Sequence, residues 1–122
     1  MTLTLDDNNA QYQIRAYKTG IIQVNEETFT HSIIISPEKL IAPWPPKNIS
    51  DLTHEHLSIV KTLKPAVLLI GTGEKLVFPP LETYGDLINH GIGVEMMDTS
   101  AACRTYNALS AEGRNVVAAL IV

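Results

Sequence analysis

The feature that most constrains the fold is an alternation of short apolar runs with amphipathic segments between residues 33 and 121. Four segments, at 31–36, 66–70, 92–97 and 115–121, are predicted to form strands, and the apolar runs at 33–35 and 66–70 are typical of buried strands. Between them, apolar residues recur at helical spacing and predict three helices, at about 51–63, 80–89 and 99–112. Such alternation predicts a mixed or largely parallel sheet with helices packed against it.

The residues before this region predict antiparallel strands. Tyr12, Ile14 and Ala16 alternate with polar residues, and turn signals follow at Gly20 and at 25–27. We therefore expect an N-terminal β-hairpin ahead of the central sheet. The first ten residues are polar, and we expect them to form a flexible N-terminus. With 122 residues, the chain is predicted to form a single α/β domain over 11–122.

Composition and charge narrow the classes of function. A hydrophobic fraction of 45% can fill a core, and a net charge of −4 leaves no cationic excess for nucleic acid or for an anionic membrane surface. One cysteine, Cys103, excludes an intramolecular disulfide and favours a reducing compartment. The longest apolar run, 116–122, is too short to span a bilayer. No secretory or transit signal is visible, so we expect a cytoplasmic protein with no membrane span.

The loops that follow the predicted strands are the first candidates for a binding site. In open α/β sheets, ligands bind beyond the carboxyl ends of the parallel strands. Three breaks, at 36–44, 71–73 and 98–100, directly follow apolar runs, and parallel strands would open all three onto one edge. The Gly71-Thr72-Gly73 segment is either a tight turn that needs positive φ or a cradle for a ligand.

Four side chains near the last of these loops could carry chemistry. Asp98 stands where it can cap the third helix, and Arg104 can pair with it or with Glu95, or can simply be solvated. Cys103 lies one turn into that helix, where it is either an inert core thiol or a thiol activated by the helix N-terminus and Arg104. Glu95 would need an ion pair or a raised pKa if both faces of its strand were covered.

The sequence contains no recognisable catalytic set. His54 and His56 point about 200° apart on a helix, so they cannot share a metal ion there. The serines lack a nucleophile elbow, and no nucleophile, base and orienting group can be assembled. We therefore expect no catalytic residue, no metal and no cofactor. Trp44, in a proline-flanked loop, is either an anchor for a partner or a lid on the core.

Several segments together resemble a known family. They are the run from Ile92 to Leu120 with its Asp98-Thr99 and Ala102–Asn107 block, the Gly-Thr-Gly at 71–73, Phe78-Pro79, and the strand–Ser-Pro–Trp segment at 33–44. Over roughly residues 12–121 the chain is similar to a family of small domains of unknown function. That family includes the third assembly factor of mitochondrial complex I and an adipogenesis-associated domain protein, and its founder structure is an archaeal hypothetical protein.

The resemblance implies a compact three-layer α/β domain and a non-enzymatic binding or assembly function, linked through the mitochondrial relative to respiratory complex I. It implies a respiratory-complex or other protein partner, and a small apolar domain can also form a homodimer. The alternative is an enzyme or a small-molecule-binding domain that uses the edge formed by 71–73, Glu95, Asp98 and Arg104. The residues expected at the ligand or partner site are Trp44, Gly71, Thr72, Gly73, Glu95, Asp98, Cys103 and Arg104.

Overall fold

The computed structural model describes residues 10–122. The predicted flexible N-terminus therefore lies, apart from Ala10, outside the described residues. The helices of the described part are α1 (His54–Leu63), α2 (Leu81–Asn89) and α3 (Thr99–Ala111). Its strands are β1 (Ile14–Lys18), β2 (Ile21–Val24), β3 (Glu27–Phe29), β4 (Ile33–Ile35), β5 (Leu40–Ile41), β6 (Val67–Gly71), β7 (Gly93–Met97) and β8 (Val116–Leu120).

The central sheet is mixed and has the strand order β5-β4-β8-β6-β7. Strand β6 is parallel to both β7 and β8, whereas β4 is antiparallel to β8 and to β5. Every residue of β6 and of β8 is buried, which is why these apolar strands occupy the interior of the sheet. Strand β7 is more polar and more exposed, and it forms one edge.

Helices and a second sheet cover the two faces of the central sheet, giving the three layers that the family resemblance implies. Side chains of one parity along β6 and β8, such as Leu69 and Ala118, pack with α3 and with β1 and β2. Side chains of the other parity, such as Leu68 and Ala119, pack with α1 and α2. The fully buried Tyr106 of α3 fills the first of these cores.

The N-terminal strands are fastened to α3 by polar contacts as well as by packing. The Tyr106 hydroxyl donates to the carbonyl of Tyr12 over 2.8 Å. The side-chain amide of Asn107 accepts from the backbone N–H of Ile14 and donates to its carbonyl, at 3.1 and 2.7 Å. The predicted hairpin is β1 and β2, and β3 extends it to a three-stranded antiparallel sheet.

Two local features differ from the sequence expectations. The break predicted at 36–44 contains the short strand β5, which pairs with β4. Helix α1 begins three residues later than predicted, with Thr53 as its N-cap. The reason is that 49–51 forms a separate 3-10 turn, in which the Asp51 carboxylate accepts from the backbone N–H of Asn48 at 3.3 Å.

The direction of β4 also corrects the expectation that three loops meet at one edge. Because β4 is antiparallel to β8, its carboxyl end and the loop beginning at Ser36 lie at the opposite end of the sheet from the loops after β6 and β7. The loops at 71–73 and 98–100 do meet, since the backbone N–H of Thr99 donates to the carbonyl of Gly73 at 2.9 Å.

Candidate functional site

The carboxyl end of β6, β7 and β8 is held together by one buried threonine. The Thr99 hydroxyl donates to the carbonyl of Ile121 at 2.7 Å and accepts from the backbone N–H of Gly73 at 2.8 Å. The whole side chain is buried. The polar atoms that a ligand-cradling loop would offer at this point are therefore bonded within the chain.

The glycines at 71 and 73 have separate physical causes. A Cβ on Gly71 would lie 2.9 Å from Cδ2 of Leu120 and 3.1 Å from Cα of Thr99, so only glycine lets the start of α3 approach β6 this closely. Gly73 has a φ of +102°, which side chains rarely adopt. Tight packing thus accounts for the glycine at 71, and the conformation of the turn accounts for the glycine at 73.

The charged side chains near this end of the sheet do not pair with one another. Asp98 is the N-cap of α3, and its Oδ1 accepts from the backbone N–H of Ala101 at 2.9 Å, which confirms the predicted cap. Arg104 donates from Nη1 to the hydroxyl of Ser100 at 2.8 Å. Glu95 is exposed on β7 and forms no ion pair with any described residue.

Cys103 is part of the core formed with α3. Cys103 is 6% exposed. Burial raises the pKa of its thiol to about 12, although the positive charge of Arg104 acts to lower the pKa. The thiol is therefore neutral at physiological pH. This environment supports the inert alternative, since only a thiolate is a good nucleophile.

Trp44 forms a lid on the opposite core. The ring is 4% exposed, and its Nε1–H donates to the carbonyl of His56 at 3.0 Å. The His56 ring packs edge-on against it, with ring centroids 6.4 Å apart. Of the two alternatives open for Trp44, the structure shows the lid, so the ring is not an exposed anchor.

Two further kinds of feature are absent from residues 10–122. No three His, Cys, Asp or Glu side chains there lie close enough together to hold a metal ion. No helix within the same range has the length and hydrophobicity needed to cross a bilayer.

The most unusual surface is one that the sequence analysis did not single out. Most of the large apolar side chains exposed in the described part of the chain lie between residues 76 and 88. We call these side chains the apolar ridge: Leu76, Val77, Phe78, Leu81 and Ile88, which are 50%, 43%, 68%, 65% and 48% exposed. The apolar residues of the predicted helix at 80–89 are Leu81, Tyr84, Leu87 and Ile88. In α2, only Leu87 of these four is fully buried, together with Thr83.

The loop that carries three of the five ridge residues is held in place by hydrogen bonds to the buried Thr72. The Thr72 hydroxyl donates to the carbonyl of Lys75 at 2.6 Å and accepts from the backbone N–H of Val77 at 3.2 Å. Thr72 is 4% exposed, Pro79 is buried, and Pro80 caps α2. The exposed side chains of Leu76, Val77 and Phe78 are therefore presented by a restrained backbone, which lowers the entropy lost on binding.

The strand next to α2 has an unpaired edge. Gly93 donates its N–H to the carbonyl of Ala66, and Met97 accepts at its carbonyl from the N–H of Thr72, so the backbone of these two residues faces β6. Backbone groups alternate in direction along a strand, which turns the N–H and C=O groups of Val94 and Met96 outward. No strand within residues 10–122 pairs with this outer edge of β7.

The fold defines a class: a small three-layer α/β domain built on a mixed five-stranded sheet. Residues 14–121 match the family described as "Protein of unknown function (DUF498/DUF598)", and the chain belongs to that family.

Relatives of known structure or name agree with this assignment. A crystal structure of a Bordetella parapertussis protein is 45% identical, with a TM-score of 0.85, and covers 91% of this chain and 95% of that chain. The "13 kDa major membrane protein" of Francisella tularensis is 32% identical over 99% of both chains. The "NADH dehydrogenase [ubiquinone] 1 alpha subcomplex assembly factor 3" of Danio rerio is 34% identical over 88% of this chain. The matched region spans 63% of the Danio rerio protein's length.

Proposed function

We propose that this protein is a non-enzymatic binding factor that assists the assembly of a protein complex, with subunits of respiratory complex I as its partner class, and that it acts in the cytoplasm. Several curated relatives at about this level of identity carry the name of a complex I assembly factor. The structural observation that supports the proposal is the apolar ridge, whose five exposed side chains all lie within one segment of the chain, because exposed apolar residues that occur together are typical of interaction sites.

The energetics of the ridge favour a protein partner. Fully burying a large apolar side chain contributes roughly 1.5–3 kcal/mol, and Phe78 and Leu81 leave about two thirds of their surface in water. A partner that covers the ridge would bury this surface without ordering the loop, because Thr72 already holds it. Aromatic residues, phenylalanine included, are enriched at protein–protein interfaces relative to the rest of the surface.

The alternative is a small-molecule site formed by residues 71–73, Glu95, Asp98 and Arg104. It has weaker support, since Thr99 and Asp98 already bond the backbone groups around that edge. The two proposals differ in a simple observable. A small-molecule site predicts thermal stabilisation by a metabolite or nucleotide, whereas an assembly factor predicts a protein that co-purifies.

The experiment is affinity purification of the tagged protein from its host, with mass spectrometry of the recovered proteins. The test variant is Phe78→Ser combined with Leu81→Ser, and the matched control is Ile59→Ser, an exposed apolar residue on α1 outside the ridge. We expect the wild type and the control to recover the same partners, and the double variant to recover at least about tenfold less at an unchanged melting temperature. Equal recovery by the double variant would contradict the role of the ridge. A wild type that recovers no protein but is stabilised by a metabolite would favour the alternative.

A further inference from the structure

We propose that the outer edge of β7, together with the apolar ridge, accepts an extended segment of a partner protein as a sixth strand of the central sheet. The segment would carry apolar side chains on one face and lysine or arginine on the other. This inference rests on the proposed function, since it requires that a protein partner exists, and it specifies how that partner binds.

The backbone of β7 supplies the recognition. Val94 and Met96 turn two N–H donors and two carbonyl acceptors outward, while Gly93, Glu95 and Met97 face β6. An added strand can pair with all four outward groups, which is the basis of strand addition at a free sheet edge. Such recognition fixes the conformation of the partner segment as extended but leaves its sequence to be selected by the side chains around the edge.

Helix α2 places its two ridge residues, Leu81 and Ile88, on the side of this edge. Asp86 of α2 faces α1, because its carboxylate accepts a 2.7 Å hydrogen bond from Lys61. At about 100° per residue, Leu81 and Ile88 point roughly 140–160° away from Asp86. Helix α2 packs on β7, and α1 shares its core with side chains of the inner strands β6 and β8. The direction away from α1 is therefore the direction of the open edge.

Gly85 adds room on the same side of the helix. It lies between Leu81 and Ile88 on the exposed stripe, and a Cβ built on it would contact only Leu81, at 3.7 Å. The stripe therefore has a notch between two apolar side chains. Apolar residues of an added strand that face α2 would meet Leu81, Ile88 and the half-buried side chains of Val94 and Met96.

The charge of Glu95 distinguishes between two possible strands at this edge, one from a second copy of this chain and one from another protein. Glu95 is exposed on the face of β7 opposite to α2, beside the exposed Gly93, and it forms no ion pair with a described residue. A two-fold antiparallel pairing of β7 with a second copy, centred on the strand, would place Glu95 opposite its own copy. Like charges directly opposite destabilise a strand pair, and opposite charges stabilise it. The favoured occupant is thus a foreign strand with a lysine or arginine near Glu95.

The first test removes one outward donor. Proline is tolerated on an edge strand where the N–H faces solvent, so Val94→Pro should fold and keep the β6 pairing. The matched control Val94→Thr retains the N–H and nearly the same shape. In the purification described above, we expect Val94→Pro to lose at least about tenfold of the captured partners and Val94→Thr to keep them. If Val94→Pro captures the wild-type set, strand addition is wrong while the assembly proposal stands. If the wild type captures nothing, the assembly proposal itself fails.

The second test uses the unmodified protein and a defined probe. A capped ten-residue peptide of alternating valine and lysine is added to the ¹⁵N-labelled protein, and amide hydrogen exchange is measured residue by residue. We expect exchange at Val94 and Met96 to slow at least about tenfold, with Gly93 and Glu95, already bonded to β6, as internal references. A valine–glutamate peptide should protect less. Unchanged exchange at Val94 and Met96 would overturn the inference, as would protection in the absence of peptide that is lost when a concentrated dimer is diluted.

Discussion

The two helices that follow β6 and β7 have the same topological role but opposite surfaces. Each connects one parallel strand to the next, α2 from β6 to β7 and α3 from β7 to β8. Helix α3 buries five side chains, including Tyr106 and Cys103, whereas α2 buries only Thr83 and Leu87 and exposes Leu81 and Ile88. The apolar residues of α3 are used by the fold, and half of those on α2 remain available to a partner.

The N-termini of the two helices also differ: that of α3 is bonded into the fold, and that of α2 is not capped by a side chain. Helix α3 begins with the Asp98 cap and with Thr99, which bonds the loops after β6 and β8. Helix α2 begins at Leu81, and its N-cap residue, Pro80, makes no side-chain hydrogen bond and directly follows the exposed loop that carries Phe78. One helix thus closes the carboxyl end of the sheet, and the other projects an apolar surface from its edge.

The largest expected effect contrasts a glycine packed beneath α3 with a glycine within α2. Gly71→Ala puts a methyl group 2.9–3.1 Å from Leu120 and from the backbone of Thr99, which should destabilise the protein by about 1–3 kcal/mol. Gly85→Ala meets nothing closer than 3.7 Å and should stabilise α2 by roughly 0.5–1 kcal/mol. Urea denaturation measures the change in the free energy of unfolding for both variants. An unchanged midpoint for Gly71→Ala would show that the α3 contact can relax.

The difference between the two glycines also shows what the sequence could not reveal. Both look alike in a sequence, because the close approach at Gly71 is created by residues 28 and 49 positions further along the chain, Thr99 and Leu120. The limits of α3 were predictable to within one residue, because the Asp98 cap, the helical period and Gly113 agree. These signals depend only on neighbouring residues, so the folded structure has the helix ends that they predict.

Which face of α2 is buried depends on the tertiary structure and cannot be predicted from the sequence of the helix. Leu81, Tyr84, Leu87 and Ile88 cover more than one face of a helix, and the sheet accepts the face of Leu87 with Thr83, a polar residue that the apolar pattern does not identify. The direction of β4 was equally hidden, because an Ile-Ile-Ile run is the same in either direction. The sequence does not reveal the apolar ridge, because the buried face of α2 is set by the sheet. It does not reveal that the loop after β4 lies away from the loops after β6 and β7, because the direction of β4 is set by its pairing with β8.

An intermediate effect concerns the buried thiol of α3. Because burial raises the pKa of Cys103 to about 12, the folded state keeps its proton while unfolded cysteine loses it above about pH 8.5. Stability contributed by this group is complete below pH 8.5 and is lost as pH rises towards 12. Between pH 8 and 10.5, wild type should lose up to about 2.5 kcal/mol more than Cys103→Ala in urea denaturation. Equal losses in the two proteins would mean that water reaches the thiol and that the α3 core is less closed than described.

The smallest effect compares the caps of the two helices. Asp98→Ala removes the 2.9 Å bond to the N–H of Ala101 and should cost about 1 kcal/mol, whereas Asp98→Asn should largely preserve stability because asparagine also caps well. Pro80→Ala, at a cap that makes no side-chain bond, is the matched control on α2 and should change the urea midpoint less than Asp98→Ala does.

Partner capture separates a structural role of Asp98 from a functional one. If Asp98 only caps α3, both Asp98 variants should recover the same proteins as the wild type once the fraction folded is equal. The ridge and the edge of β7 are then sufficient to explain binding. An Asp98→Asn protein that melts with the wild type but no longer captures its partner, or no longer responds to a stabilising metabolite, would instead make Asp98 a binding residue. The edge formed by Gly71, Thr72 and Gly73 would then be the surface to probe next, because α3 begins directly against it.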